Sequence, residues 1–204
     1  MPKRLMDLVV SVVGLILLAP FFLIFAILIK LDSRGPVFYL QERVGKEGRL
    51  FNLIKFRTMR TGSDKAIAIT VGKRDSRITT IGHFLRKFKL DELPQLINVL
   101  KGEMSLVGPR PELKKFVDLY NEEQLKVISI KPGITDFASI QFRNENELLE
   151  GKEDPIDFYI KEIMPLKLAL NLNYIANQSL LTDLRIIFQT ILLIFFRKSH
   201  PNNR

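Results

Sequence analysis

The chain begins with a long apolar stretch, and its pattern predicts a membrane anchor. Between residues 5 and 29 the only charged residue is Asp7. About 20 apolar residues suffice for a helix that spans a bilayer. However, basic residues stand on both sides of the stretch, although they normally mark the cytoplasmic side. Pro20 lies near its middle and removes a backbone hydrogen-bond donor. Two topologies therefore remain open, a spanning helix and a helix that breaks at Pro20 and returns to the same face.

The polar middle of the chain predicts a compact, helix-rich α+β domain. Residues 37–59 read as two extended runs around the sequence GKEG, a β-hairpin. Residues 61–76 are polar and weakly periodic, which predicts a loop. Two helices are expected next, with Gly102 just past the second. Their apolar faces carry Ile81, Phe84, Leu85 and Phe88, then Leu93, Leu96, Ile97 and Leu100. KPGIT (residues 131–135) reads as a Pro-Gly turn without chemistry of its own.

A second apolar stretch, IIFQTILLIFF, covers residues 186–196 near the C-terminus. It is too short to cross a bilayer, which favours a helix lying in the membrane interface or packed on the domain. An ordinary buried core helix remains an alternative. The predicted organisation is a membrane segment at residues 1–32 and a globular domain at residues 33–204.

Composition limits the chemistry that this chain can perform. Its 204 residues include 31 Lys and Arg against 22 Asp and Glu, a net charge of +9 that favours an anionic partner. Nucleic acid, nucleotide phosphates and acidic lipids all qualify. There is no cysteine and there are only 2 histidines, which excludes thiolate chemistry and disfavours a histidine metal site or serine triad. Catalysis would rest on carboxylates, arginines, lysines and hydroxyls.

The stretch KLDELPQLINVL sets two carboxylates side by side ahead of a proline and an apolar repeat. Asp91 has a structural interpretation, because Asp is a favoured helix N-cap and Pro94 suits the following first turn. Glu92 would then be a first-turn acid that the helix dipole favours. In the functional interpretation, one carboxylate attacks phosphorus while its neighbour holds a cation. Successive helical residues face different ways, so different tasks are expected for the two acids.

Basic residues in short motifs are candidates for binding phosphate. VGPRP places Arg110 between two prolines, which restrict the backbone that presents it. Lys55 and Arg57 share one face of a predicted strand. Arg86 precedes the acidic pair by five residues, and Arg143 lies downstream. Each of these side chains can equally be an ordinary solvated charge.

Four segments follow one another along the chain: KRLMDLVVSVVGLILLAPFF, KFRTM, LRKFKLDELPQLINVLKGEMSLVGPRPE and KPGIT. In this order they closely resemble the bacterial sugar transferases, the monotopic polyprenyl-phosphate phosphoglycosyl transferases. The resemblance extends from residue 3 to about residue 196 and is to the minimal, single-domain form.

The resemblance implies a two-step phosphoryl transfer. Asp91 matches the nucleophile, which attacks the β-phosphate of a UDP-sugar, releases UMP and carries the sugar phosphate until a polyprenyl (undecaprenyl) phosphate accepts it. Glu92 matches the residue that binds Mg²⁺, the implied cofactor. Basic residues are implied to bind the substrate phosphates. The matching positions are Lys55, Arg86, Arg110 and Arg143, with Arg57 as a further candidate.

The resemblance also implies a location. The N-terminal segment would be a re-entrant, helix-break-helix anchor that turns at Pro20, with interfacial amphipathic helices beside it. The domain would be monotopic on the cytoplasmic face of the bacterial inner membrane. The expected partners are a UDP-sugar, undecaprenyl phosphate and membrane lipids, and not nucleic acid, with a homodimer left open.

Some positions depart from the commonest family pattern. Ala19 and Lys89 stand where hydroxyl residues are frequent, and Asp136-Phe137 replaces a Gly-Trp pair. The resemblance assigns no role to Asp136 or Phe137. Two other functions are weighed beside the transferase. One is a polyprenyl-phosphate glycosyltransferase that releases UDP, although no Asp-x-Asp motif supports it. The other is a non-enzymatic basic adaptor at the membrane surface, which would not explain adjacent acids in a basic region.

Overall fold

The computed structural model describes residues 2–63 and 75–195, so most of the loop predicted at residues 61–76 lies outside the described residues. The described chain is helix-rich with two small sheets, as expected for the α+β class. The helices are α1 (Pro2–Asp32), α2 (Thr80–Lys87), α3 (Gln95–Lys101), α4 (Lys114–Val117), α5 (Phe137–Gln141), α6 (Glu145–Leu148), α7 (Pro155–Phe158), α8 (Met164–Ala176) and α9 (Leu180–Phe195). The strands are β1 (Phe38–Val44), β2 (Leu50–Phe56), β3 (Ser105–Val107) and β4 (Gly133–Thr135).

The predicted β-hairpin is confirmed. Strands β1 and β2 pair antiparallel from Phe38↔Phe56 to Val44↔Leu50. A short 3₁₀ turn at Lys46–Gly48 joins them, and Glu47 takes a left-handed conformation with φ of 57°. Strand β2 also carries Lys55 towards the acidic pair.

The second sheet was not anticipated, and the prediction that KPGIT is only a turn is wrong. The last three residues of KPGIT form β4, which pairs parallel with β3. The two backbones approach so closely that a Cβ built on Gly133 would lie 2.1 Å from the backbone nitrogen of Gly108. Only glycine fits such an approach. The sequence pattern could not show this, because the partner strand is far away along the chain.

The N-terminal end of α1 is hydrogen-bonded to the globular domain. Arg4 donates to the carbonyl oxygens of Val99 at 2.7 Å and Leu100 at 3.1 Å, at the end of α3. The buried carboxylate of Asp7 accepts a 3.1 Å hydrogen bond from the backbone of Leu106 in β3. A cation at a helix C-terminus and a paired buried carboxylate are both stabilising arrangements.

The C-terminal end of α1 is attached to the same domain. Phe25 and Ile29 pack in one cluster with Phe56 of β2 and Leu85 of α2. The Oδ2 atom of Asp32 accepts a 2.9 Å hydrogen bond from the backbone of Ile81 in the first turn of α2. Both ends of this apolar helix therefore contact one globular body.

Among the described residues, α1 is the one helix long and apolar enough to cross a membrane. Its 31 residues continue through Pro20 as a single helix. Most of its apolar side chains are exposed, including Ile16 and Leu17 near the middle. The structure does not confirm the predicted break at Pro20, so the re-entrant geometry stays a prediction.

Helix α9 contains the second apolar stretch, whose last residue lies outside the described part of the chain. One side is core, because Ile186 is fully buried in the main cluster with Val99, Val107 and Tyr174. The other side exposes Leu181 and Phe188. The helix begins earlier than the stretch suggested, at Leu180. An interfacial position for its apolar exposed side stays a prediction.

The contact between β3 and β4 predicts a sharp difference between two glycine substitutions. Gly133→Ala should lower the free energy of unfolding by about 3 kcal/mol or more, because the added methyl would overlap the backbone of Gly108. Gly151→Ala is the control: Gly151 has a positive φ, but no atom of the described residues lies within 4 Å of an added Cβ. Its cost should be about 1 kcal/mol. Denaturant unfolding of the detergent-solubilised protein measures both, and equal losses would contradict the close packing of β3 against β4.

Candidate active site

The acidic pair lies in a tight turn between α2 and α3. Lys89 adopts a left-handed conformation with φ of 57°, and Leu90–Glu92 forms one 3₁₀ turn. Helix α3 starts only at Gln95, with Pro94 at its N-cap position. Asp91 is therefore not the N-cap of α3, and that structural interpretation is wrong. Both carboxyl residues are buried, with 7% of Asp91 and 9% of Glu92 exposed.

Glu92 is neutralised by two cations from distant parts of the chain. Its Oε1 lies 2.5 Å from Nη2 of Arg110, and its Oε2 accepts from Nη1 at 3.2 Å, a bidentate pair. The Nζ of Lys55 lies 3.5 Å from Oε1. Burial alone would raise the pKa of Glu92, but Arg110 and Lys55 outweigh it and hold this pKa well below its usual range. Glu92 is therefore a stable anion.

Asp91 has the opposite environment. Its Oδ1 is buried and has no hydrogen-bond partner among the described residues. Burial and the adjacent charge of Glu92 raise the pKa of Asp91, and Lys55, Lys89 and Arg86 only partly offset this. A buried, unpartnered carboxylate oxygen costs stability, and such atoms in native proteins often mark a functional group. The two adjacent acids thus have opposite electrostatic environments, and different tasks for them stay a prediction.

Lys55 reaches the pair from β2, and Asn98 fixes that strand. Burial lowers the pKa of Lys55 to about 8, although the charge of Glu92 opposes this shift. The buried amide of Asn98 accepts from the backbone of Ile54 at 3.0 Å and donates to the carbonyl of Asn52 at 2.8 Å. Asn98 thereby locks α3 onto the strand that presents Lys55. The available sequence signal was a polar residue inside an apolar helix.

Arg110 is presented by the segment that follows β3. The charge of Glu92 raises the pKa of Arg110, with a smaller contribution from Asp136. The Oδ2 of Asp136 accepts the backbone N–H of Arg110 at 3.1 Å. Asp136 is fully buried, and sequence reasoning assigned it no role.

Arg86 lies on α2, beside Asp91 and Glu92, which together form the acidic dyad. Its Nε donates to Oγ1 of Thr58 at 2.8 Å. Burial lowers the pKa of Arg86, while attraction to Asp91 opposes the change. The structure therefore brings together Asp91, Glu92, Lys55 and Arg110, with Arg86 at the side of Asp91.

Two predicted substrate-binding residues make their contacts elsewhere. Arg57 follows β2, is only 5% exposed, and donates through Nη2 to the carbonyl oxygens of Ile29 at 3.2 Å and Ser33 at 2.6 Å. It ties down the C-terminal end of α1. Arg143 donates to the carbonyl oxygen of Leu193 in α9. A role of either arginine in substrate binding stays a prediction.

The carboxylates of the acidic dyad suit a metal ion whose remaining ligands come from the substrate. The described residues contain no group of three or more His, Cys, Asp or Glu side chains able to hold a metal ion. Asp91 and Glu92 supply two carboxylates, and Mg²⁺ commonly binds one or two carboxylates together with substrate phosphates. Among residues 2–63 and 75–195, Oδ1 of Asp91 has no hydrogen-bond partner and Oε2 of Glu92 has one, from Arg110, so both keep acceptor capacity.

The sequence model of the family described as bacterial sugar transferase matches residues 1–197, and the chain belongs to this family. It is 38% identical over 192 residues to the UDP-N-acetylgalactosamine-undecaprenyl-phosphate N-acetylgalactosaminephosphotransferase of Aeromonas hydrophila, covering 93% of this chain and 42% of that one. It is 39% identical over 205 residues to the UDP-glucose:undecaprenyl-phosphate glucose-1-phosphate transferase of Klebsiella pneumoniae, covering 97% and 41%. It is 34% identical over 206 residues to the exopolysaccharide production protein ExoY of Rhizobium meliloti (strain 1021), covering 94% and 84%.

The chain thus spans less than half the length of the first two relatives. The match confirms the resemblance seen in the sequence motifs. Together with the exposed apolar helix α1, the undecaprenyl-phosphate substrates in the relatives' names indicate association with a membrane.

The opposed environments of two carboxylates predict opposite effects on stability. Asp91→Asn should raise the free energy of unfolding by about 1 kcal/mol, because it removes a buried like charge beside Glu92. Glu112→Gln is the control: Glu112 accepts from the hydroxyl of Tyr159 at 2.7 Å, and Lys167 and Arg43 help to lower its pKa. That substitution should destabilise the protein. Denaturant unfolding at pH 7 measures both, and a destabilised Asp91→Asn variant would contradict the electrostatic assignment.

Proposed function

We propose that this protein transfers a sugar 1-phosphate from a UDP-sugar to undecaprenyl phosphate and releases UMP. The observation that carries the proposal is the asymmetry of the buried dyad. Glu92 is neutralised by Arg110 and Lys55, whereas one carboxylate oxygen of Asp91 has no hydrogen-bond partner in the part of the chain that the structure describes. The substrate classes are those in the names of the relatives.

In the proposed first step, a carboxylate oxygen of Asp91 attacks the β-phosphorus of the UDP-sugar. A phosphorus–oxygen bond forms to Asp91, the bond to the bridging oxygen breaks, and UMP leaves with that oxygen. The sugar phosphate remains on Asp91 as an acyl phosphate. Desolvation makes the carboxylate more reactive, and Arg110 and Lys55 lie where they can stabilise charge on the phosphoryl oxygens.

In the proposed second step, a phosphate oxygen of undecaprenyl phosphate attacks the same phosphorus. The bond to Asp91 breaks, its carboxylate is restored, and the product is a polyprenyl diphosphate sugar. Each step exchanges one phosphorus–oxygen bond for another, so no oxidant, reductant or further co-substrate is needed. The same cations would serve both steps, because both occur at one phosphorus atom.

Mg²⁺ is part of the proposal, with Glu92 as its protein ligand. The three positive charges of Lys55, Arg86 and Arg110 already outnumber the two negative charges of the dyad. A divalent cation is therefore expected to bind together with the negative diphosphate, held by Glu92 and substrate oxygens. When bound, it would neutralise charge on the phosphoryl group. Lys55 and Arg110 would keep Glu92 ionised and oriented for this contact.

The proposed location is the cytoplasmic face of the inner membrane, with α1 entering the bilayer from that face. Arg4 and Asp32, near opposite ends of α1, both hydrogen-bond to the globular domain. A straight span would place these ends on opposite sides of the bilayer. UDP-sugars are cytoplasmic and the acceptor phosphate lies at the bilayer surface, so the site must face both.

The covalent step predicts a burst of UMP without acceptor. Protein mixed with Mg²⁺ and UDP-glucose or UDP-N-acetylgalactosamine should release about one equivalent of UMP per chain and gain the mass of the sugar phosphate. Asp91→Asn should show neither, and the surface control Asp118→Asn should behave as wild type. Nucleotide chromatography and intact-mass measurement follow both. Release of UDP would support the glycosyltransferase alternative, and no turnover even with undecaprenyl phosphate would support the adaptor.

The proposed topology predicts same-side labelling of the two ends of α1. The chain has no cysteine, so single cysteines report cleanly. Cysteines at the exposed positions Pro2 and Arg34 should resist an impermeant maleimide in intact spheroplasts and react after permeabilisation. Asp118→Cys, on the globular surface, is the reference for the cytoplasmic side. Labelling of either end of α1 in intact spheroplasts would establish a spanning helix.

A further inference from the structure

The backbone that presents Arg110 is held by three consecutive contacts with one other segment. The backbone N–H of Gly108 donates to the carbonyl of Thr135 at 3.1 Å, and that of Gly133 donates to the carbonyl of Pro109 at 2.9 Å. The third contact is the hydrogen bond from the backbone of Arg110 to Oδ2 of Asp136 at 3.1 Å. Just beyond the end of the β3–β4 pairing, the side chain of Asp136 accepts the hydrogen bond that a strand backbone would otherwise accept. The next residue, Pro111, has no backbone N–H to donate.

The other oxygen of Asp136 is also engaged. Its Oδ1 accepts the backbone N–H of Ser139 at 2.5 Å, which makes Asp136 the N-cap of α5. Serine or asparagine can cap a helix equally well. Only a carboxylate offers two acceptor oxygens on one short side chain, one for the cap and one for Arg110.

We propose that Asp136 is a positioning residue, which fixes the backbone of Arg110 so that its guanidinium meets Glu92. The inference rests on the proposed function for its kinetic consequence, but its structural content is independent of the substrate. Asp136 is fully buried, and its charge adds to the field that keeps Arg110 in place. Without the Asp136 carboxylate, the backbone N–H of Arg110 loses its acceptor. The backbone from which the Arg110 guanidinium reaches Glu92 is then no longer fixed in position.

Asp136→Ser is the informative variant, because serine retains a cap for α5 but is too short to serve Arg110 as well. Its kcat/KM for UDP-glucose or UDP-N-acetylgalactosamine should fall about 10-fold or more. In an Arg110→Ala background the same substitution should change kcat/KM less than about 3-fold, because the residue it positions is gone. Asp154→Ala is the control for the loss of a helix cap, because the Asp154 side chain caps α7 by accepting the backbone N–H groups of Ile156 and Asp157. It should leave kcat/KM unchanged.

Hydrogen exchange supplies a readout that needs no substrate. Prolines at positions 109 and 111 carry no amide hydrogen, so a peptide covering residues 107–112 reports on Gly108, Arg110 and Glu112 alone. Asp136→Ser should speed exchange of the Arg110 amide, and Asp154→Ala should not. Asp136→Asn provides a second variant if the serine variant unfolds, since its amide can accept only one of the two N–H groups.

The outcomes separate the two proposals. If Asp136→Ser speeds exchange of the Arg110 amide but the wild-type protein releases no UMP from either UDP-sugar, Asp136 remains the positioning residue and the proposed function is overturned. Unchanged exchange at Arg110 would overturn the positioning role, whatever the activity. An equal loss of kcat/KM in the wild-type and Arg110→Ala backgrounds would also overturn it, because a merely structural effect is additive.

Discussion

The burial of two adjacent carboxylates is the constraint on which the rest of this structure depends. Two negative charges buried in one turn destabilise the fold unless nearby cations neutralise them. The chain brings Lys55 from the hairpin and Arg110 from the segment after β3, and both pair with Glu92. Asp91 receives no such partner for Oδ1 within the described residues. The surrounding fold therefore neutralises one acid and leaves the other with a buried oxygen that no described residue contacts by a hydrogen bond.

The elements that deliver these cations are fixed by buried polar side chains rather than by apolar packing alone. Asn98 locks β2 onto α3, and Asp136 holds the backbone of Arg110. The apolar helix α1 is bonded to the same elements, because Asp7 accepts a hydrogen bond from the backbone of Leu106 in β3 and Arg4 donates to carbonyl oxygens at the end of α3. The apolar helix α1 and the acidic dyad are thus joined by hydrogen bonds through α3 and β3, which suits the proposed reaction between a soluble and a lipid substrate.

Local sequence signals predicted the local features well. Periodicity placed the hairpin, α2, α3 and the apolar helices, and motif order identified the family. Contacts between distant segments were beyond such signals. The close approach of Gly108 and Gly133 depends on two distant backbones meeting, and the Arg57 side chain contacts the end of α1 instead of the face of the strand. Asp91 looked like a helix cap because the 3₁₀ turn and the delayed start of α3 at Gln95 have no local signature.

The most direct test of the covalent role of Asp91 is chemical trapping. Hydroxylamine attacks the carbonyl carbon of an acyl phosphate, so it should convert the loaded carboxylate into a hydroxamate. Trypsin cleavage after Lys89 and Lys101 isolates both acids in the peptide LDELPQLINVLK, where fragment masses separate them. After loading with Mg²⁺ and a UDP-sugar that gives UMP release, we predict a hydroxamate on Asp91 alone. A hydroxamate on Glu92, or none in a protein that turns over, would contradict the account.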